Sequence, residues 1–189
     1  IIIHNRPLSI CRWRLENTRL IMSNYKDIIY PNDEHNTYPR KLIQYLYTRF
    51  MKDNLKHGAQ RKILDIGCCT GAALKMFAEH EDLDLYGVDI RDENIDGITF
   101  KTCNIENEAL PFPDNTFDFI YNKSVLEHVM NTDQFLKESR RVLKPGGMFI
   151  GLTPDWGSQQ YNFWDDYTHV KPYTRKGLRD ALKIHDFDE

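Results

Sequence analysis

The stretch ILDIGCCTGAALKMF, Ile63 to Phe77, decides the fold. An apolar run ends on an acid, Asp65, and a glycine turn, Gly67-Cys68-Cys69-Thr70-Gly71, then opens a helix. Gly67 and Gly71 tolerate positive φ and a close backbone approach, which lets a ligand lie against the main chain at a helix start. The spacing is not the G-x-G-x-x-G of dinucleotide enzymes, so hydride-transfer cofactors are the weaker choice. A tight strand-to-helix turn that holds nothing is the plain alternative.

The next apolar run, Leu85-Tyr86-Gly87-Val88-Asp89-Ile90, ends on a second acid 18 residues after Gly71. A carboxylate there accepts both hydroxyls of a ribose, as an acid about 20 residues downstream does in nucleotide-binding α/β folds. An adenosine-containing ligand follows. If Asp89 merely caps the next helix, the spacing and the glycine turn stay unexplained.

Working outward, short apolar runs alternate with helical stretches to the end of the chain. Strands are expected at Lys62–Ile66, Leu83–Asp89, Ile98–Cys103, Phe117–Asn122 and Gly147–Thr153. Helices are expected at Ala72–Glu81, Asn94–Asp96 (short), Val125–Met130, Asp133–Leu143 and Arg175–Ile184. An amphipathic helix over Tyr38–Lys56, with Leu42, Ile43, Leu46, Tyr47, Phe50 and Met51 at helical spacing, precedes them. Such alternation implies an α/β, doubly wound, mostly parallel sheet with helices on both faces, binding ligands beyond the carboxyl ends of its strands.

The chain has 189 residues, 41% apolar and 28% charged, which suits one globular domain. No apolar run approaches the ~20 residues of a membrane span, and no secretory signal is present, so a cytoplasmic location is expected. Residues 1–21 hold four arginines against Glu16 and read as a basic extension outside the fold, ahead of Met22-Ser23-Asn24. Residues 22–189 form the single expected domain, with its core at 62–187. The formal charge of −3 becomes more negative once the basic extension is set aside, so nucleic acid is not the expected partner. Cys11, Cys68, Cys69 and Cys103 show no CxxC spacing and read as reduced thiols. His57, His80 and His185 sit in no metal-like grouping, and no metal is expected.

At this point the sequence resembles the class I S-adenosylmethionine-dependent methyltransferases, of the type 11 kind, over roughly Lys62 to Phe187. LDIGCCTG looks like the family's first motif and YGVDI like its second; LPFPDNTFDFIYNKSVLEHV followed by RVLKPGGMFI looks like its later ones. The resemblance implies a Rossmann-like fold, S-adenosyl-L-methionine as cofactor and S-adenosyl-L-homocysteine as product. By position, Asp65, Gly67, Cys68, Cys69, Thr70 and Gly71 would face the methionine part. Asp89 would take the ribose and Ile90 would pack on the adenine. Asn104, Ile105 and Glu106 would contact the adenine ring and its amino group, while Asn122 and Lys123 would line the sulfonium end.

Two departures stand out: Cys69 occupies the family's middle glycine, and the C-terminal antiparallel hairpin is missing or truncated. Methyl transfer needs alignment above all, worth ~7–11 kcal/mol, whereas a hydroxyl acceptor must also lose a proton, so a general base would add ~10²–10⁴-fold. His128 and His169 are the candidates; the plain alternative for His128 is that Leu-Glu-His-Val only shapes the site.

In the loop Thr153–Thr174, Trp156, Tyr161, Phe163, Trp164, Tyr167 and Tyr173 interleave with Asp155, Asp165 and Asp166. Rings beside carboxylates suit a polyhydroxylated or cationic acceptor, with Asp155, Trp156, Trp164 and Tyr167 as substrate contacts. Equally, the rings could simply cover the sheet end. DDYTHVKPYT resembles a segment of sugar and glycan methyltransferases, which points to a sugar hydroxyl on a small-molecule acceptor. The alternative is a catalytically incomplete, methyltransferase-like binding or assembly module. The basic run Lys137, Arg140, Arg141 and Lys144 reads as a solvated helix face. The oligomeric state is not legible.

Overall fold

A computed structural model describes residues 38–52 and 60–188. The basic segment 1–21, Cys11, His57 and the end of the first expected helix lie outside these described residues.

Helix α1, Tyr38–Leu46, runs on as a π-turn through Tyr47–Met51. Then come β1 (Arg61–Ile66), α2 (Ala72–Ala78), β2 (Leu83–Asp89), β3 (Thr99–Thr102), β4 (Phe117–Lys123), α3 (Thr132–Val142) and β5 (Leu143–Leu152). A short α4 (Trp156–Gln159) and α5 (Arg175–Ile184) complete the series. The strands form one sheet in the order β3-β2-β1-β4-β5, every pair parallel. Strand order reverses between β1 and β4, where Ile66 lies opposite Asn122. That is where a doubly wound sheet opens a ligand crevice.

The strand period of two sends alternate side chains to two cores. Ile63, Phe119 and Tyr121 pack with Ile43, Leu46, Leu74 and Phe77 of α1 and α2. Leu64, Ile66, Val88 and Ile120 pack with Phe135 and Leu136 of α3, and Leu178, Ala181 and Leu182 of α5 join them. Helices therefore cover both faces, as the alternating pattern implies.

Several local expectations need correction. Asn94–Asp96 is not helical: the link Ile90–Ile98 crosses without a helix, and its Ile95 and Ile98 fold back onto Gly71. Val125–Met130 shortens to a 3-10 turn, Leu126–His128, because Val129 is already extended. The last strand begins at Leu143, not Gly147. Its pairing with β4 shifts between Phe117 and Phe119 to absorb Lys144-Pro145-Gly146-Gly147.

The basic run is not a solvated face throughout. Arg141 donates to Glu138, to Asp114 Oδ1 at 2.7 Å and to the carbonyls of Leu110 and Phe112 at 2.9 Å each. Glu138 accepts from the Leu110 amide at 2.8 Å, and the Arg141 hydrogen bonds hold its carboxyl below the usual range. Lys144 binds Asp118, which also accepts from the Lys62 amide at 2.9 Å. The segments LPFPDNTFD and RVLKPGG are thus joined by charged hydrogen bonds, which tie the edge strand β5 to β4.

Candidate functional site

The turn after β1 is held from β2. The amides of Gly67 and Cys68 both donate to the Val88 carbonyl, at 2.8 and 3.1 Å, and Gly71 donates to Cys68 at 2.8 Å. Gly67 and Gly71 lie at φ +79° and +70°, the left-handed region that favours glycine. Room is scarce at both. A Cβ on Gly67 would meet Val125 Cγ2 at 2.3 Å, and one on Gly71 would meet Ile98 Cδ1 at 2.4 Å. This chain's own side chains therefore demand both glycines.

Cys69 shares the left-handed conformation, at φ +51°. Three fixed contacts keep it there. Its amide donates to Asp89 Oδ2 at 2.9 Å, the Arg91 amide donates to Asp89 Oδ1 at 3.2 Å, and the Arg91 guanidinium donates to Cys69 Sγ at 3.2 Å. A carboxylate has about four acceptor positions, so Asp89 keeps capacity for two hydroxyls. Cys68, Cys69 and Cys103 are free thiols. Burial drives the Cys68 thiol far up and that of Cys103 to about 11, which makes both inert packing residues.

Behind the turn, Asp65 is buried and its carboxyl is pushed up to about 8, first by desolvation and then by the Asp89 charge. Next to it on the sheet, the fully buried Asn122 donates to the Ile66 carbonyl at 2.9 Å, while its Oδ1 has no hydrogen-bond partner. A buried polar atom of that kind marks where a ligand donor belongs. An ammonium group fits both features: its N–H donates to an oxygen acceptor, and its charge lowers the cost of ionising Asp65. Lys123 and Thr70 are exposed at the rim.

Past β3, Asn104 and Glu106 are engaged by their neighbours. Asn104 Oδ1 accepts from the Glu106 amide at 3.1 Å. The Glu106 carboxylate accepts from the amides of Met130 and Asn131, at 3.0 and 3.2 Å. Ile105 is buried and Ile90 partly so.

On the β4–β5 side, the 3-10 turn Leu126–His128 meets the loop after β5. The Glu127 carbonyl accepts from Val170 at 2.8 Å and Lys171 at 3.1 Å, and its buried carboxylate accepts from Thr153 Oγ1 at 2.9 Å. That grip lays the His169 ring 4.8 Å from the His128 ring, centroid to centroid. The two candidate histidines thus form one group. A ligand-type atom from each of Glu127, His128 and His169 lies within 4.8 Å of the others. Nothing in the sequence spacing suggested a metal grouping, because it arises only where these two loops meet.

The hydrogen bonds assign the tautomers. His169 Nδ1 donates to the Phe163 carbonyl at 2.5 Å. Thr168 Oγ1 spends its proton on Asp166 Oδ1 at 2.6 Å and accepts from His128 Nδ1 at 3.0 Å. With Nδ1 donating, a neutral His128 ring carries its lone pair on Nε2, whereas His169 Nε2 lies 3.8 Å from Asp166 Oδ2. Desolvation lowers the pKa of His128 from its ordinary 6.5, against the Glu127 charge, which raises it.

The aromatic loop divides in two. Phe163 and Tyr173 are buried; Tyr173 contacts Thr132 Oγ1 at 2.6 Å, and Phe163 stacks at 4.5 Å from the His169 ring. Tyr161, Trp164 and Tyr167 are exposed, and Trp156 is intermediate, 6.3 Å from Trp164. Asp155 precedes α4, and its carbonyl accepts from Ser158 and Gln159 at 3.0 and 2.9 Å. Covering the sheet end therefore falls to Phe163 and Tyr173, and an open ring surface to Trp164 and Tyr167. Sequence reading assigns no individual role to Glu127, Thr153, Asp166 or Thr168, although Glu127 lies in the Leu-Glu-His-Val segment and Asp166 and Thr168 in DDYTHVKPYT.

Residues 64–151 match the family model described as "Methyltransferase domain". With the parallel sheet above, this match is consistent with a class I S-adenosylmethionine-dependent methyltransferase, and the cofactor it implies is S-adenosylmethionine. Over 109 residues it is 32% identical to phosphoethanolamine N-methyltransferase 3 of Arabidopsis thaliana, covering 51% of this chain and 21% of that protein. Over 129 residues it is 28% identical to 2-methyl-6-phytyl-1,4-hydroquinone methyltransferase of Synechocystis sp., covering 61% and 38%. The chain thus spans well under half the length of these curated relatives. Among solved structures, a SAM-dependent methyltransferase from Archaeoglobus fulgidus superposes with a TM-score of 0.63 at 23% identity, covering 79% of this chain and 70% of that one, and shares the fold. Among the described residues no helix is long and apolar enough to cross a membrane.

Proposed function

We propose that the protein transfers the methyl group of S-adenosylmethionine to a hydroxyl of a small-molecule acceptor, a sugar or glycan precursor, with the acceptor proton lost at the His128–His169 pair. The observation that carries this reading is the meeting of two imidazoles, His128 and His169, 4.8 Å apart in the segments that follow β4 and β5. When bound, the cofactor supplies an electrophilic methyl on sulfur.

Asp65 and the Asn122 Oδ1 would hold the cationic methionine end, with Gly67 to Gly71 as its backbone floor and Lys123 at the rim. Asp89 would accept the ribose hydroxyls on its remaining lone pairs. Ile90, Asn104, Ile105 and Glu106 would wall the adenine, Glu106 chiefly by fixing Met130 and Asn131. Trp164 and Tyr167, with Trp156 and Asp155, would receive a polyhydroxylated acceptor by stacking and hydrogen bonding. Alignment of hydroxyl, methyl and sulfur supplies the larger share of the acceleration, and removal of the proton adds to it.

Incubation with methyl-labelled cofactor and a panel of sugars, nucleotide sugars and phenols tests the reading. Label in a sugar supports it, and label confined to amines or carbon acids removes the hydroxyl assignment. One feature favours a second reading, a binding module without turnover: Val125 fills the space over Gly67. Failure of the chain to bind the cofactor would establish that alternative.

A further inference from the structure

We propose that Glu127, His128 and His169 form a three-ligand site for a divalent cation, which binds the acceptor hydroxyl at an open fourth position. This deepens the reading given under Proposed function: it rests on it for the hydroxyl acceptor and replaces its proton acceptor, because imidazoles bound to a cation through Nε2 cannot also take the proton, which goes to solvent.

Two imidazoles and a carboxylate are the donor set that suits zinc and its first-row neighbours, and three protein ligands with one position open distinguish a catalytic from a structural site. Donor atoms already within 4.8 Å of one another need to draw in to about 3.4 Å around an ion held at ~2.1 Å, a shift within reach of side-chain rotation. The surroundings are those that orient metal ligands. His169 Nδ1 is tied to the Phe163 carbonyl, His128 Nδ1 to Thr168 and through it to Asp166, and the Glu127 carboxylate to Thr153. With Nδ1 donating in each ring, Nε2 is assigned as the coordinating nitrogen; that of His169 also lies 3.8 Å from Asp166 Oδ2. Glu127 is 1% exposed, and a dication between it and the two rings balances its buried charge.

Position gives the cation a task. Glu127 and His128 lie four and five residues past Lys123, the last residue of β4, beyond the carboxyl end of the strand whose Asn122 is assigned to the cationic end of the cofactor. A hydroxyl on the cation loses its proton to water more readily, because the positive charge stabilises the alkoxide. The oxygen then forms its bond to the methyl carbon while the carbon–sulfur bond breaks, its electron pair staying on the neutral thioether. The cation is unchanged. A second, vicinal hydroxyl closes a chelate on the same ion, so the site selects diols, a chemistry that sugars present and isolated alcohols lack.

The test is direct titration of the chelator-treated full chain with Co²⁺, followed by visible absorption and calorimetry without cofactor or acceptor, then displacement by Zn²⁺. One Co²⁺ per chain is expected. The affinity should fall more than about 100-fold in His128→Ala and His169→Ala and roughly 10–100-fold in Thr168→Val, which touches only the outer support. Glu127→Gln keeps the volume of a buried side chain, and circular dichroism checks that each variant folds. Absence of saturable binding up to millimolar Co²⁺, or equal affinity in both histidine variants, overturns the site. Methyl transfer undiminished by chelator overturns its role. Co²⁺ binding by a chain that does not bind S-adenosylmethionine would keep the site and remove the methyl-transfer reading instead.

Discussion

On the β1–β2 side of the crevice the polar partners are mostly backbone: the amides of Gly67, Cys68, Cys69 and Arg91 close onto the Val88 carbonyl and the Asp89 carboxylate. On the β4–β5 side they are side chains brought together over long separations, with Thr168 reaching His128 across 40 residues. A cradle made of backbone fits one common ligand and tolerates many sequences. A site made of side chains changes its chemistry with each substitution, which is how one fold serves many acceptors. The curated relatives above, named for phosphoethanolamine and a hydroquinone, accord with that division.

The comparison breaks if damage on one side carries over to the other. The largest effect is expected from His128→Ala or His169→Ala: turnover falling by ~10²–10⁴-fold with cofactor affinity unchanged, read from steady-state rates beside calorimetry. Retained turnover in both variants removes histidine from the chemistry. Next comes Asp89→Ala, which loses hydrogen bonds to a charged acceptor and also frees the Cys69 amide. Its cofactor affinity should drop by roughly 100-fold. Equal affinity in wild type and variant would refute the ribose assignment.

A smaller effect follows from Asp65. Its folded pKa of about 8 lies above the ordinary 3.8, so between those values the folded state holds a proton that the unfolded chain releases. Its contribution to stability is therefore present at low pH and declines as pH rises through that window. A cationic ligand favours the ionised carboxyl, so cofactor affinity should rise by up to about tenfold per pH unit from pH 6 to 8, with proton release, and level off above. Calorimetry in two buffers of different ionisation enthalpy measures that release, and a pH-independent affinity would show that Asp65 does not meet the cation. The smallest effect is at Cys69. Replacing it with glycine relieves a left-handed side chain and should raise stability by about 1 kcal/mol in urea denaturation.

How far the sequence could be read follows the same boundary. The glycine turn and Asp89 lie within one βαβ unit, so their spacing alone suggests a ligand there, whereas Asp65 is assigned only through the resemblance to the family. The parallel sheet with helices on both faces was legible from short apolar runs alternating with helical stretches. Asn94–Asp96 misled because Ile95 and Ile98, which suit a helix, are spent packing on Gly71. The Arg141–Glu138 junction was invisible because a charge at a helix end reads as solvated until the partner carbonyls of Leu110 and Phe112 come into view. His128 and His169 were each picked as candidate bases, but their meeting depends on Glu127 gripping the loop after β5. That contact has no local signature.

The most direct test is one calorimetric titration of S-adenosylmethionine into the wild-type full chain, Asp89→Ala and His128→Ala. The expected result is one equivalent bound by wild type, the same affinity in His128→Ala and roughly 100-fold weaker binding in Asp89→Ala. No binding by the wild type, or wild-type affinity in Asp89→Ala, would contradict the account.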